Sequence, residues 1–188
     1  MSYRGNEPNV QKQVVVDAIP RFKPRSIEEF NAFYKREFSS VVGLAYALSG
    51  SRWAAEELAQ EAFLAAHRKW KEVGEYEQPG AWVRRVVSNL STSLVRRRLA
   101  EARALVKLAA RRPEGLHPLD ANDADFWSAV RALPKRQSQV IALHYLEDLS
   151  VAEIAETLNV AQGTVKTHLH RGRMELARRL GLEEGANQ

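Results

Sequence analysis

The strongest constraint on this chain lies near its C-terminus. Residues 133–180 read LPKRQSQVIALHYLEDLSVAEIAETLNVAQGTVKTHLHRGRMELARRL. Pro134 suits a first helical position, where its missing N–H would have no partner anyway. The helix it opens carries Val140, Ile141, Leu143, Tyr145 and Leu146, then gives way at Glu147-Asp148. Ser150 and Glu153 form a capping box that starts a second helix, with Ile154, Ala155 and Leu158 as its apolar stripe. After the break Asn159-Val160-Ala161, a third helix runs from about Gln162 to about Leu180, with Val165, Leu169 and Leu176 inward. Two helices joined by so tight a turn describe a helix-turn-helix, whose second helix enters a DNA major groove.

The outward residues of that second helix fit the task. Lys166, Thr167, His168, His170, Arg171 and Arg173 place hydrogen-bond donors in its first turns, where recognition helices meet base edges. From Lys166 to Arg179 there are five Lys/Arg and one acid, Glu175. A solvated basic face is the plainer alternative, and it does not account for donors gathered at the helix start.

The run LP-x-x-Q-x-x-V-x-x-L-x-Y-x-EDLS-x-x-EIA-x-x-L-x-V-x-x-GTVK-x-x-LHRGR resembles the promoter-reading domain of bacterial RNA polymerase sigma factors of the extracytoplasmic-function (ECF) group. Taken alone it is also similar to the DNA-binding domain of response regulators. The first half of the chain separates the two. Residues 55–70, AEELAQEAFLAAHRKW, resemble the family's AED-L-x-QEAF-x-x-A-x-x-x-W. Residues 79–89, PGAWVRRVVSN, resemble P-x-AW-x-x-RV-x-x-N, and a basic run follows at Arg96–Arg98. A response regulator would carry alternating strands and helices there, and no such pattern occurs.

The fold class expected is all-α: two small helical domains joined by a flexible linker, the C-terminal one a helix-turn-helix. Residues 1–25, with Gly5, Pro8, Pro20 and Pro24, read as a flexible leader. The first domain spans 26–100. Its first helix opens on the capping box Ser26/Glu29 and presents Phe30, Phe33, Tyr34, Phe38, Val41, Val42, Leu44, Ala45 and Leu48 at helical spacing, hence as core. A second helix, from Arg52 to Trp70, turns Trp53, Leu58, Ala62, Ala65 and Ala66 inward. A third, from about Gly80 to Arg98, uses Trp82, Val83, Val86, Val87, Leu90 and Leu94 inward and leaves Arg84, Arg85 and Asn89 outward. The linker is placed at 101–122, the second domain at 123–182 with Phe126, Trp127 and Val130 as core, and a tail at 183–188.

The resemblance implies roles for specific residues. The face Glu57, Gln60, Glu61 and Leu64 matches the surface that docks on the clamp helices of the largest subunit of core RNA polymerase; an ordinary exposed helix face is the alternative. Trp82, Arg84, Arg85 and Asn89 match the region that recognises and melts the minus-ten element, and the 73–78 loop would shape a base pocket. Holding an unstacked base on a side chain contributes about 1–3 kcal/mol, comparable to the few kcal/mol needed to extrude it. On pattern alone, Trp82 is equally well placed as core. Arg96, Arg97 and Arg98 suit phosphates. Lys166, Thr167, His170 and Arg171 match minus-thirty-five readers, with His168 and Arg173 behind them. Ala161 departs from the serine common in relatives, which removes a side-chain cap with a typical contribution of about 1 kcal/mol. Promoter DNA and core polymerase are therefore the partners implied. Relatives often have an anti-sigma partner too, though no residue of this sequence reports one. A stand-alone helix-turn-helix regulator with a ligand-binding or dimerising first half is the competing reading.

Composition agrees with these expectations. The net charge is +5, consistent with a polyanionic partner. There is no cysteine, so neither disulfides nor thiolate sites arise. No window approaches a membrane span and no secretory segment is evident, which points to the cytoplasm. None of His67, His117, His144, His168 or His170 sits in a metal-binding spacing, and no phosphate loop or nucleophile elbow occurs. Neither catalytic residues, metal nor cofactor is expected.

Overall fold

The structure is a computed structural model that describes residues 27–106 and 121–182; the leader, Ser26, most of the expected linker and the tail lie outside the described residues. Eight helices and no strand occur among those residues. They are α1 (Ile27–Ser49), α2 (Arg52–Arg68), α3 (Trp70–Val73), α4 (Pro79–Val106), α5 (Ala121–Arg131), α6 (Lys135–Tyr145), α7 (Val151–Leu158) and α8 (Gln162–Arg179).

Helices α1, α2 and α4 pack on one another to form the first domain. Phe33, Val41, Leu44 and Leu48 from α1 are buried with Phe63 of α2, Trp70 and Val73 of α3, and Val83 and Val87 of α4. Trp70 lies with its ring 5.0 Å from Phe30 and from Phe33. The expected α2 breaks at Lys69, whose backbone is no longer helical (φ −109°, ψ 19°), and the short helix α3 follows it. Ser51 caps α2, its hydroxyl accepting from the Ala54 N–H.

One inward assignment fails. Trp53 is 67% exposed, because α2 turns Ala54, Ala55 and Ala59 to the core instead. Trp53 therefore shares the outer face of Glu57, Glu61 and Leu64. Helix α4 begins at Pro79, one residue before the expected Gly80, and continues past Arg98 to Val106. Pro134 stands just outside α6 as its N-cap, not at the first helical position.

In the second domain α6 and α7 pack against α8. Val130, Ile141, Leu143, Ile154 and Val165 are fully buried, at about 1.5–3 kcal/mol for each side chain removed from water. Gly172 lets α8 approach α6: a Cβ there would lie 2.9 Å from Ile141 Cγ1. The two domains also touch, α1 against α5 and α6, and α4 against α6 and α7, so the buried apolar residues form one continuous cluster.

Candidate nucleic-acid interface

The helix-turn-helix is held by local chemistry the sequence specifies. Both arms of the capping box are made: Ser150 N–H donates to Glu153 Oε2 at 2.8 Å, and Glu153 N–H donates to Ser150 Oγ. Hydrogen bonding from the Ser150 side chain and then from its backbone N–H lowers the Glu153 carboxyl's pKa. Asn159 ends α7 in the left-handed region (φ 54°), a conformation its short polar side chain tolerates. Ala161 then starts α8 with no side-chain cap, so the first N–H groups of α8 rely on other partners.

On α8, Val165, Leu169, Gly172 and Leu176 face the core, while Lys166, Thr167, His170 and Arg171 are exposed along the opposite side. Thr167 turns its hydroxyl back to Gly163 O at 2.9 Å. His168 is half-buried; burial first, then the Arg136 and Arg171 charges, push its pKa down. Arg173 is drawn away from the first turns. Its Nε donates to Tyr145 Oη at 2.8 Å and its Nη2 lies 3.1 Å from His144 Nε2. His144 Nδ1 meets Leu149 O at 3.0 Å. A carbonyl only accepts, so Nδ1 carries the proton and Nε2 is free to accept from Arg173. His144 is thus a satisfied boundary histidine. Beyond it, Glu175 holds Arg178 and Arg179 at 2.7 Å each, which lowers its carboxyl to about 2.

The α4 residues are arranged differently. Arg84, Arg85 and Asn89 were expected to face outward, and all three instead meet the second domain. Arg84 Nε pairs with Glu147 at 2.6 Å and its Nη1 with Glu37 at 3.0 Å. Ser40 donates its hydroxyl to the same Glu147 carboxylate. Arg85 donates to Thr157 O at 2.6 Å and Glu156 O at 3.1 Å, carbonyls in the last turn of α7, of which Glu156 O also accepts from the Asn159 N–H. Asn89 Oδ1 accepts from the buried Gln139 at 3.1 Å. Trp82 is half-buried and packs against the core, and Arg96, Arg97 and Arg98 are exposed on the distal part of α4. Sequence reasoning missed Glu37, Arg131, Gln139 and Glu147, because no spacing in the chain signals a contact between residues so far apart.

On α2, Glu57, Gln60, Glu61 and Leu64 are all exposed on one face. No group of acidic, histidine or cysteine side chains suited to a metal ion occurs among the described residues, and no helix there is long and apolar enough to cross a membrane.

This arrangement of two helical units has known counterparts. The family described as Sigma-70 region 2 matches residues 33–101, and Sigma-70, region 4 matches residues 124–176. The ECF RNA polymerase sigma factor SigW of Bacillus subtilis is 30% identical over 151 residues, 73% of this chain and 81% of that protein. The chain belongs to the ECF group of RNA polymerase sigma factors. SigE of Mycolicibacterium smegmatis is 34% identical over 161 residues; the alignment takes in 80% of this chain but only 61% of that longer relative. Among solved structures, the sigma factor RpoE from Bartonella quintana, determined with the anti-sigma factor NepR, shares the fold with a TM-score of 0.62 and 24% identity, over 84% of this chain and 100% of that one. The region 2 match thus falls within α1–α4 and the region 4 match within α5–α8, and the response-regulator alternative falls.

Proposed function

We propose that this ECF sigma factor binds core RNA polymerase and directs it to promoters, with region 2 docking and melting and region 4 reading the upstream element. The observation that carries the reading is the exposed row Lys166, Thr167, His170 and Arg171 on α8, set on a helix-turn-helix whose first helix, α7, opens on a complete capping box, behind a matching region 2. Arg171 and Lys166 reach bases or adjacent phosphates in the major groove, and His170 and Thr167 supply short donors beside them. His168 and Arg173 are supporting residues: one is half-buried, the other tied to Tyr145.

Region 2 supplies the remaining contacts. Glu57, Gln60, Glu61 and Leu64 form an acidic face with an apolar end for the polymerase clamp helices. Arg96, Arg97 and Arg98 bind phosphates, which adds affinity without sequence information. Trp82 serves the minus-ten element together with Arg84, Arg85 and Asn89, the last three once the second domain is displaced from them. An anti-sigma factor is a further partner, by likeness to the NepR-bound relative. The site of action is the cytoplasm, and the chain acts without catalytic residues, metal or cofactor of its own.

Charge reversal tests the docking face. Glu61→Arg is expected to weaken binding to purified core polymerase by at least about tenfold, the scale of truncating or reversing one buried interfacial charge. Binding to double-stranded DNA should be unchanged. Unaltered affinity for core would remove that face from the docking role.

A further inference from the structure

The contact between the two domains includes the same side chains that the region 2 reading assigns to DNA. Arg84 is 19% exposed and its partners Glu37 and Glu147 are 14% and 6% exposed. Two carboxylates thus already surround the guanidinium, and a phosphate arriving there would meet their charge first. Arg85 spends its donors on the carbonyl end of α7, the first helix of the helix-turn-helix. The favour is returned from the other side: Arg131, at the end of α5, donates to Ala47 O in the last turn of α1 at 3.2 Å. Each domain therefore closes a helix C-terminus of the other with an arginine, where a cation is favoured by the helix dipole.

Two glycines of region 2 sit against these arginines. A Cβ on Gly80 would lie 2.5 Å from Arg84 Nη1 and 2.9 Å from Glu37 Oε2. A Cβ on Gly50, whose φ is +71°, would lie 2.8 Å from Arg131 Nε. A side chain at either place would require the guanidinium beside it to shift. Beneath them, Gln139 donates to Asn89 from a fully buried position on α6.

We infer that this chain has a closed, self-masked state, in which Glu147 and Arg131 latch region 4 onto region 2 and withhold Arg84, Arg85 and Asn89 from DNA while leaving the α8 row open. The inference rests on the proposed DNA role of α4. Opening the latch is the step that makes those three residues available, and an anti-sigma factor or polymerase would act by favouring one of the two states.

The full chain tests this directly. It has no cysteine, so Lys71→Cys and Asp125→Cys, both at exposed positions in different domains, accept nitroxide labels for distance measurement by pulsed electron resonance. The unaltered chain should give one narrow distance distribution; Glu147→Gln, and separately Arg131→Gln, should broaden and lengthen it. Apparent affinity falls with the competent fraction. If nine chains in ten are closed, the opened variants should bind a fluorescent single-stranded oligonucleotide of random sequence about tenfold more tightly. A broad distribution in the unaltered chain, or no change in either variant, overturns the latch. Opening without a gain in oligonucleotide affinity overturns the masking. If the gain survives Arg85→Ala in the opened background, the DNA role of α4 falls and the masking with it, while the distances still report the latch.

Discussion

The N-terminal half of α4 and the outer side of α8 both carry cationic side chains that the proposed function assigns to DNA, yet present them in opposite ways. On α8, Lys166, His170 and Arg171 stand exposed. On α4, Arg84 and Arg85 are spent on Glu37, Glu147 and the carbonyls of Glu156 and Thr157. Residue type is the same in both places; the surroundings differ. A basic residue on a helix can contact DNA only where its donors are unpaired, and the two helices differ in that respect.

The largest expected effect breaks the comparison on the open side. Arg171→Ala should lower transcription from a dependent promoter by about tenfold or more, given 1–3 kcal/mol for a good contact to a base edge. Affinity for core polymerase should stay the same. Equal loss of both would show that α8 is not a dedicated reader.

A smaller effect concerns what holds that reader up. Gly172→Ala gains helix propensity of about 1 kcal/mol but drives a methyl against the buried Ile141, an overpacking that costs about 1–3 kcal/mol. Net destabilisation should lower the melting temperature by roughly 2–4 °C for a chain of this size. Hydrogen exchange should rise in α6 and α8 and not in α2; a uniform rise would mean that the two regions unfold as one unit.

The smallest effect is electrostatic. Arg178 and Arg179 lower the Glu175 carboxyl to about 2 from an ordinary 4.5. A depressed folded value contributes stability that is present above the unfolded value and lost as pH falls from 4.5 through 2. Carboxyl-carbon NMR should therefore find Glu175 still ionised at pH 3. Titration near 4 would show that the two arginines are free in solution, which would extend the open basic surface to the end of α8.

Most of the fold was legible because the local signals agree with one another. Ser150 and Glu153 announce α7, Asn159 tolerates the left-handed turn, and the apolar spacing of Val165, Leu169 and Leu176 sets the inner face of α8. The exposed α8 residues and the α2 face followed from the same periodicity. The failures have physical causes. Trp53 read as core because tryptophan is large and apolar, yet the small neighbours Ala54, Ala55 and Ala59 let α2 lie closer to its partners with that face inward. Arg84, Arg85 and Asn89 read as outward because periodicity describes one helix at a time. Their partners Glu147, Thr157 and Gln139 lie 63, 72 and 50 positions away, and nothing local reports a contact at that separation.

The most direct test of the account is transcript sequencing with purified components: core polymerase on genomic DNA, with and without this chain, and the 5′ ends mapped. The account predicts a new set of start sites that share two short sequence elements, one near minus ten and one near minus thirty-five, with the upstream set lost for Arg171→Ala. Identical start sites in the presence and absence of the protein would contradict it.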